Sequence, residues 1–430
     1  MMSQSFQSCA IAFIAGILLS ACQDSAPEVI HEPLDTSLDE PAPRSLLTSM
    51  NINPDSKAGP NGSALFIVNP ETGSLEIHPF STMRGGPVVG QGMHTALSSD
   101  RETVYCTIGG NKDLDLRLVT IDLHWQKGHA HPEVMAARSL VPAGTRGNES
   151  NGASCHPGEP GIRQEGHGSR ITEDGRFLLF SEMQNDRIRV FDIAQNAFVG
   201  EPQAHPSLYA PHGLYPNPSG TFAAAPQYWF DHHTVGIWKL DSLSGTPSFA
   251  FTIHMADSAN TGAYQHTVRW LDDQRFYVTV TQEAEQGDGT SQQGVWMGDL
   301  TFRAGQLVLG SDDILEGVSD CGIAGNKLYV AEGNVAQFLA GEPTPGHLSI
   351  WDISDPASPE FIRRFSAGDG FPDDFANAHS IGVPIDGSSV FVESFSSHYL
   401  IQVDPAADTV VRVFGKEDGL DTPHGIYVQP

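Results

Sequence analysis

The fold class is decided by a stretch that reads His167-Gly168-Ser169-Arg170-Ile171-Thr172-Glu173-Asp174-Gly175-Arg176-Phe177-Leu178-Leu179-Phe180-Ser181. Two short apolar runs flank the turn Glu173-Asp174-Gly175, and a third run follows at Arg187–Ile193. Runs of this length, bounded by Asp-Gly turns and without a helical period, are typical of β-strands joined by hairpins. The stretch therefore predicts an antiparallel sheet.

The same unit recurs along the chain. Its first strands begin at His94, His167, His212, His266, Cys321, His379 and His424. Apart from the first interval, which carries an insertion at about residues 124–165, the starts lie about 45–58 residues apart, the spacing of four-stranded propeller blades. The sequence therefore predicts an all-β fold, a seven-bladed β-propeller over residues 63–430.

The last unit has only one strand. Strands near 45–52, 63–68 and 74–80 can complete it, so we expect the N-terminal strands to pair with the C-terminal strand. Such closure leaves no long unpaired sheet edge.

Six histidines and one cysteine occupy the predicted blade starts. Because first strands line the channel of a propeller, we expect these seven side chains to meet at one level: His94, His167, His212, His266, Cys321, His379 and His424. Imidazole and thiolate are ligands that zinc and copper select. The pattern predicts a transition-metal site, zinc or copper. The alternative is that each ring bonds to its own neighbouring turn and has a structural role.

The predicted insertion supplies a second group of candidate metal ligands: His124, His129, His131, Cys155 and His156. They are expected either to fold over the channel mouth or to lie in a solvated loop. Beyond the first 22 residues the cysteines are Cys106, Cys155 and Cys321, which allow one disulfide and one thiol, or three free thiols.

The N-terminal residues have the features of a targeting signal. The apolar run at residues 9–19 is too short to span a bilayer and has the length of a signal-peptide core. Residues 1–21 contain no Lys or Arg, unlike the usual positively charged signal start. Residues 22–62 are rich in Pro, Asp, Glu and Ser, as in a flexible tether.

The formal net charge of the chain is −29, from 23 Lys plus Arg and 52 Asp plus Glu. Such an acidic chain repels phosphate backbones, so nucleic acid is not an expected partner.

Several resemblances to known families follow from these residues. The run Leu19-Ser20-Ala21-Cys22 resembles the lipobox of bacterial lipoproteins, which implies a signal peptide over 1–21 and lipidation of Cys22. Because Gln23 follows, the resemblance implies an outer-membrane lipoprotein facing the periplasm.

Other resemblances concern the blades. The runs at 174–178 and 187–192 look like blades of lactonase-type or YVTN-type propellers, and the run at 348–356 looks like an LVIVD-repeat blade. The starts at 165–168 and 211–213, with the early His cluster, are similar to periplasmic zinc-metallochaperone propellers that serve ABC importers. The ring of blade-start histidines resembles the copper propeller of nitrous oxide reductase. These likenesses imply metal binding or delivery to a transporter or acceptor protein.

Four functions remain open at this stage. The first is a membrane-tethered metal-binding propeller, and the second is a copper redox enzyme on the same ring. The third is a lactonase-like hydrolase with His as general base, and the fourth is an interaction scaffold. The sequence does not decide whether the protein is an enzyme.

Overall fold

Local hydrogen bonds explain why the chain turns where the sequence predicts. In the hairpin after the first strand of one unit, Asp174 Oδ1 accepts from the backbone N–H of Arg176 at 3.0 Å and from the Thr172 hydroxyl at 2.6 Å. Gly175 then takes a positive φ of 73°, which residues with a Cβ rarely adopt. The predicted Asp-Gly turn is therefore confirmed.

The computed structural model describes twelve stretches of the chain, all within one compact unit, Asp35–Pro430. They are residues 47–51, 64–109, 114–142, 166–228, 234–255, 263–282, 293–310, 312–314, 317–333, 344–384, 386–394 and 396–428.

The described secondary structure is almost entirely β. The strands are β1 (Leu47–Asn51), β2 (Ala64–Asn69), β3 (Ser74–Pro79), β4 (Gln91–Leu97), β5 (Thr103–Gly109), β6 (Leu116–Asp122), β7 (Trp125–Gln126), β8 (His129–Ala130), β9 (Glu133–Val141), β10 (Gly166–Ile171), β11 (Phe177–Glu182), β12 (Arg187–Asp192), β13 (Ala197–Phe198), β14 (Gln203–Ala204), β15 (Tyr215–Pro216), β16 (Phe222–Pro226), β17 (Thr234–Leu240), β18 (Pro247–His254), β19 (Ala263–Trp270), β20 (Arg275–Gln282), β21 (Gly294–Asp299), β22 (Ala304–Leu309), β23 (Val318–Ala324), β24 (Lys327–Glu332), β25 (His347–Asp352), β26 (Glu360–Ala367), β27 (Gly370–Phe371), β28 (Ser380–Gly382), β29 (Val390–Ser394), β30 (Tyr399–Asp404), β31 (Thr409–Phe414) and β32 (Pro423–Val428). Short 3-10 turns lie at Phe80–Thr82, Met183–Asn185 and Lys416–Asp418. Among the described residues, no helix has the length and apolarity needed to cross a bilayer.

Within the described residues, six sheets of four or five strands are each built from one continuous stretch of chain. Their strand orders are β4-β5-β6-β9, β10-β11-β12-β13 with β14 also on β12, β15-β16-β17-β18, β19-β20-β21-β22, β23-β24-β25-β26-β27 and β28-β29-β30-β31. The prediction of an all-β propeller arrangement is confirmed, with six contiguous blades rather than the predicted seven.

One further sheet, which we call the composite sheet, joins distant parts of the chain. Its order is β3-β2-β1-β32, and β1 pairs antiparallel with β32. The inner strands of all these sheets contact one another in turn, in the order β32, β4, β10, β15, β19 (through β16), β23, β28 and again β32. The contacts therefore form a closed ring.

Burial follows from this arrangement. The second strands are covered on both faces by neighbouring sheets, so β11 is buried along its whole length and reads as a continuous apolar run. The outermost strands alternate in exposure; Val411 of β31 is 54% exposed. The core consequently lies between the sheets.

Two boundaries differ from the predicted ones. Strand β1 lies inside the range 22–62 that the sequence assigned to the tether. Part of the predicted insertion at 124–165 is also regular structure: β7 and β8 form a two-stranded ribbon, and β9 is the outer strand of the β4-β5-β6-β9 sheet. Residues 143–165 lie outside the described residues.

Candidate functional site

The six predicted histidines lie on, or just before, the inner strand of six different sheets. His94, His167, His266 and His424 are within β4, β10, β19 and β32, whereas His212 and His379 precede β15 and β28. The strand pairing is irregular at this level in β4, β10, β19, β23 and β32. Such bulges re-aim a side chain relative to a regular strand. These irregularities help to bring the imidazoles to a common level of the closed circle of inner strands.

The six imidazoles form a closed circuit, which we call the histidine ring. Consecutive ring centroids lie 4.9 Å apart for His94–His167, 4.4 Å for His167–His212, 4.2 Å for His212–His266, 5.1 Å for His266–His379, 4.9 Å for His379–His424 and 5.2 Å for His424–His94. Each of the six residues is between 3% and 8% exposed. The predicted convergence of these side chains is therefore seen in the structure.

Backbone carbonyls orient part of the histidine ring. His212 Nδ1 donates to the carbonyl oxygen of His266 at 2.8 Å, and His424 Nδ1 donates to that of Met93 at 3.0 Å. A proton on Nδ1 leaves the lone pair of a neutral imidazole on Nε2. Between His94 Nε2 and His167 Nδ1, 3.1 Å apart, one nitrogen donates and the other accepts. These hydrogen bonds fix the orientation of four of the six rings.

Burial lowers the pKa of four of these rings. It lowers the pKa of His94, His212 and His379 well below the usual value of 6.5, and neighbouring histidines of the ring lower each pKa further. For His266, burial and then the proximity of His167 and His424 lower the pKa to about 3. Several protonated imidazoles at this spacing would repel one another, so the neutral forms of these four histidines dominate at neutral pH.

Cys321 does not occupy the position that the sequence predicted for it. Its side chain is fully buried in a hydrophobic cluster with Tyr277 and Leu328, and burial raises the pKa of its thiol. In β19 the irregularity places His266 between the pairs Gln265↔Val280 and Val268↔Val278. The residue of β23 that corresponds to His266 should lie between two pairs with the same spacing.

Strand β23 has the matching pairs Val318↔Glu332 and Cys321↔Val330, so Ser319 corresponds to the ring position. The backbone of Ser319 also lies against the His266 ring, as that of His266 lies against His212. The sequence placed Cys321 at the ring position, but that position belongs to Ser319, two residues earlier in the chain. The inner strand of this sheet supplies a serine.

In the described part of the chain, no group of three or more His, Cys, Asp or Glu side chains is arranged as a ready-made metal site. The donor set of the histidine ring nevertheless has the chemistry that zinc and copper prefer. A residue that sequence reasoning missed is Tyr228, whose ring stacks on His212 with centroids 4.8 Å apart.

The secondary candidates are dispersed. His129 Nδ1 lies 3.2 Å from Glu76 Oε1, and His124 Nε2 lies 3.7 Å from a carboxylate oxygen of Glu133. His131 is exposed. Cys155 and His156, like Cys22, lie outside the described residues.

The two described cysteines are free. Cys106 and Cys321 are both buried and form no disulfide. Burial raises the pKa of the Cys106 thiol too.

A second level of the channel lies beside the histidine ring, and we call it the arginine pocket. The third residue after a ring histidine is Arg170, Tyr215, Arg269 or Tyr427 in four of the sheets. These side chains, together with the small Gly322 and Gly382 of two other sheets, line a cavity of about 410 Å³. The repeated three-residue spacing was visible in the sequence and could have identified this level.

Comparison with known proteins supports the fold. No family model and no curated protein matches the chain. Among solved structures, a protein of Bacteroides uniformis assigned as a 6-phosphogluconolactonase has a TM-score of 0.56 and 11% identity, with 89% of this chain and 99% of that chain covered. The periplasmic gluconolactonase of Pseudomonas aeruginosa has a TM-score of 0.53 and 13% identity, with 89% and 99% covered.

A functionally unknown protein of Desulfotomaculum acetoxidans has a TM-score of 0.55 and 13% identity, with 89% of this chain and 98% of that chain covered. At these identities the likeness concerns the β-propeller scaffold alone. The fold and its structural neighbours therefore assign the chain to the class of β-propellers.

Proposed function

We propose that the protein is a metal-binding propeller that holds zinc or copper at the histidine ring and passes it to a transporter or acceptor protein. The observation that carries this proposal is the closed circuit of six buried imidazoles, with neighbouring centroids 4.2–5.2 Å apart. Six such groups around one axis are difficult to account for by packing alone, because buried polar groups are costly unless their lone pairs are used.

The tautomers support metal binding. Metal-ligating histidines commonly donate their second ring nitrogen to a carbonyl oxygen, as His212 and His424 do here. The depressed pKa values also favour ligation, because a metal binds only the neutral imidazole. Ligation requires side-chain rotation, in particular of His94 and His167, whose mutual hydrogen bond must open.

The proposal extends to the chain around the site. The composite sheet acts as the seventh blade, since its inner strand β32 supplies His424 and contacts both β4 and β28. Lipidation of Cys22 tethers the propeller to the outer membrane on its periplasmic side, which places the site where it can exchange metal with a transporter.

The test is the metal content of the full chain, purified without chelator and analysed by elemental mass spectrometry. We expect at least one equivalent of zinc or copper. The double variant His167→Gln/His212→Gln should lose most of it, while the control His205→Gln/His254→Gln, at two histidines outside the ring, should keep it. A metal content below about half an equivalent, or the same content in both double variants, would reject the proposal.

A second candidate function is a lactonase-like hydrolase. It is favoured by the names of two similar structures, a gluconolactonase and a protein assigned as a 6-phosphogluconolactonase. A ring histidine would act as the general base, although the pKa of His266, about 3, makes that residue a weak base at neutral pH.

The candidates separate experimentally. Hydrolysis of simple lactones that survives exhaustive dialysis against chelator favours the hydrolase. A copper redox enzyme on the same ring would instead show visible absorption that bleaches with a reductant.

A further inference from the structure

The arginine pocket contains two guanidinium groups with different surroundings. Arg269 is neutralised within the protein: it lies 2.9 Å from Asp320 Oδ2 and also donates to the carbonyl oxygen of Ile381 at 3.1 Å. Asp320 in turn accepts from the Thr267 hydroxyl at 2.7 Å and the Ile381 N–H at 2.9 Å. This ion pair is a closed structural unit.

Arg170 interacts with Asp320 only at a distance, because that carboxylate forms its ion pair with Arg269. The Arg170 guanidinium donates to the carbonyl oxygen of Ser169 at 2.8 Å, and among the described residues it forms no ion pair with a carboxylate. The guanidinium lies 5.1 Å from the centroid of Tyr215 and 5.6 Å from that of Tyr427. These aromatic faces stabilise a cation without neutralising it. The pocket wall also includes the carboxylate residue Glu173, which is exposed.

A cation without an ion-pair partner is costly to hold away from water. Keeping one on a cavity wall, in a chain of net charge −29, preserves a local site for an anion where the overall field repels it. The planar guanidinium fork matches the two oxygens of a carboxylate. The rest of the wall includes Trp270, Val268 and Ile426, which suit an apolar or aromatic body.

We propose that the arginine pocket binds a small organic carboxylate, whose carboxylate pairs with Arg170 and whose body packs against Tyr215, Tyr427 and Trp270. The cavity of about 410 Å³ accommodates a molecule of this class. Gly322 and Gly382 stand at the corresponding position of two other inner strands and also line the cavity. The site stands independently of metal binding at the histidine ring.

The test is isothermal titration calorimetry on the full chain with benzoate and succinate as probes, and with benzyl alcohol and inorganic phosphate as comparisons. We expect at least one of the two carboxylates to bind and benzyl alcohol not to bind. Arg170→Gln should weaken carboxylate binding at least about tenfold, and Arg170→Lys, which keeps the charge but loses the fork, should give an intermediate affinity. Arg187→Gln, at an exposed arginine on β12, should bind as the wild type does.

Thermal unfolding provides the second readout. Arg170→Gln should unfold at the same or a higher temperature than wild type without ligand, because it removes an unpaired cation, and a carboxylate should no longer raise that temperature. The proposal is overturned if neither carboxylate binds at about 10 mM, if phosphate binds as tightly as they do, or if Arg170→Gln binds them as wild type does. Metal-free protein serves throughout, so the result does not depend on the ring holding a metal.

Discussion

Acidification of the metal-free protein should unfold it through the histidine ring, and His266 allows the effect to be calculated. Its pKa is about 3 in the folded chain, against the ordinary value of 6.5 that applies once the chain is unfolded. Between these values the unfolded chain binds a proton that the folded chain refuses, so stability falls as the pH drops below 6.5. At pH 5 the difference corresponds to about 2 kcal/mol for His266 alone.

The assay is urea unfolding followed by tryptophan fluorescence, at pH 7 and pH 5, in wild type and in His266→Gln. Both proteins should lose stability on acidification, because His94, His212 and His379 also have depressed pKa values. The loss should be smaller in His266→Gln by about 2 kcal/mol, since glutamine cannot take up the proton.

The control is His254→Gln, at an exposed histidine on β18, which should lose as much stability as wild type. An equal pH dependence in wild type and His266→Gln would show that His266 is not held neutral by burial. The electrostatic account of the histidine ring would then be refuted.

Three further predictions concern residues near the channel. Replacing Cys321 with Val should leave the metal content unchanged, as elemental analysis would show; a loss would restore the thiol as a ligand. Asp320→Asn breaks the buried pair with Arg269 and should destabilise the fold by about 3–5 kcal/mol in urea unfolding; a loss below about 1 kcal/mol would contradict the pairing. Gly213→Ala should lower the unfolding temperature, because φ is 125° there and an added Cβ would lie 2.8 Å from backbone and side-chain atoms. Gly200→Ala, where an added Cβ meets nothing within 4 Å, is the matched comparison and should be affected less.

The repeat predicted the strands and the convergence of the six histidines, because periodic turns and a residue type recurring at one position are both visible in sequence. Cys321 was misplaced because Cys321-Gly322 resembles the His-Gly starts of other units, whereas the strand pairing puts Ser319, two residues earlier, at the ring position. Strand β9 was missed because the first two predicted blade starts lie farther apart than the others, which looks like an insertion. Part of that extra chain nevertheless forms the outer strand of the β4-β5-β6-β9 sheet.

The arginine pocket was overlooked for another reason. Its side chains differ from sheet to sheet, so no single residue type recurs, and only the fixed distance from each histidine links Arg170 with Tyr215. Arg269 forms an ion pair with Asp320, whereas Arg170 forms none among the described residues. This difference depends on contacts between sheets, which a single sequence does not reveal.

The pairing of β1 with β32 also sets an order of events during biosynthesis. The ribosome releases β1 long before β32 exists, so one edge of β1 must wait uncapped while the intervening sheets form. His424 lies on that same last strand, so the histidine ring is complete only once β32 has joined the composite sheet. Closure of the circle of sheets and completion of the histidine ring therefore happen in one step.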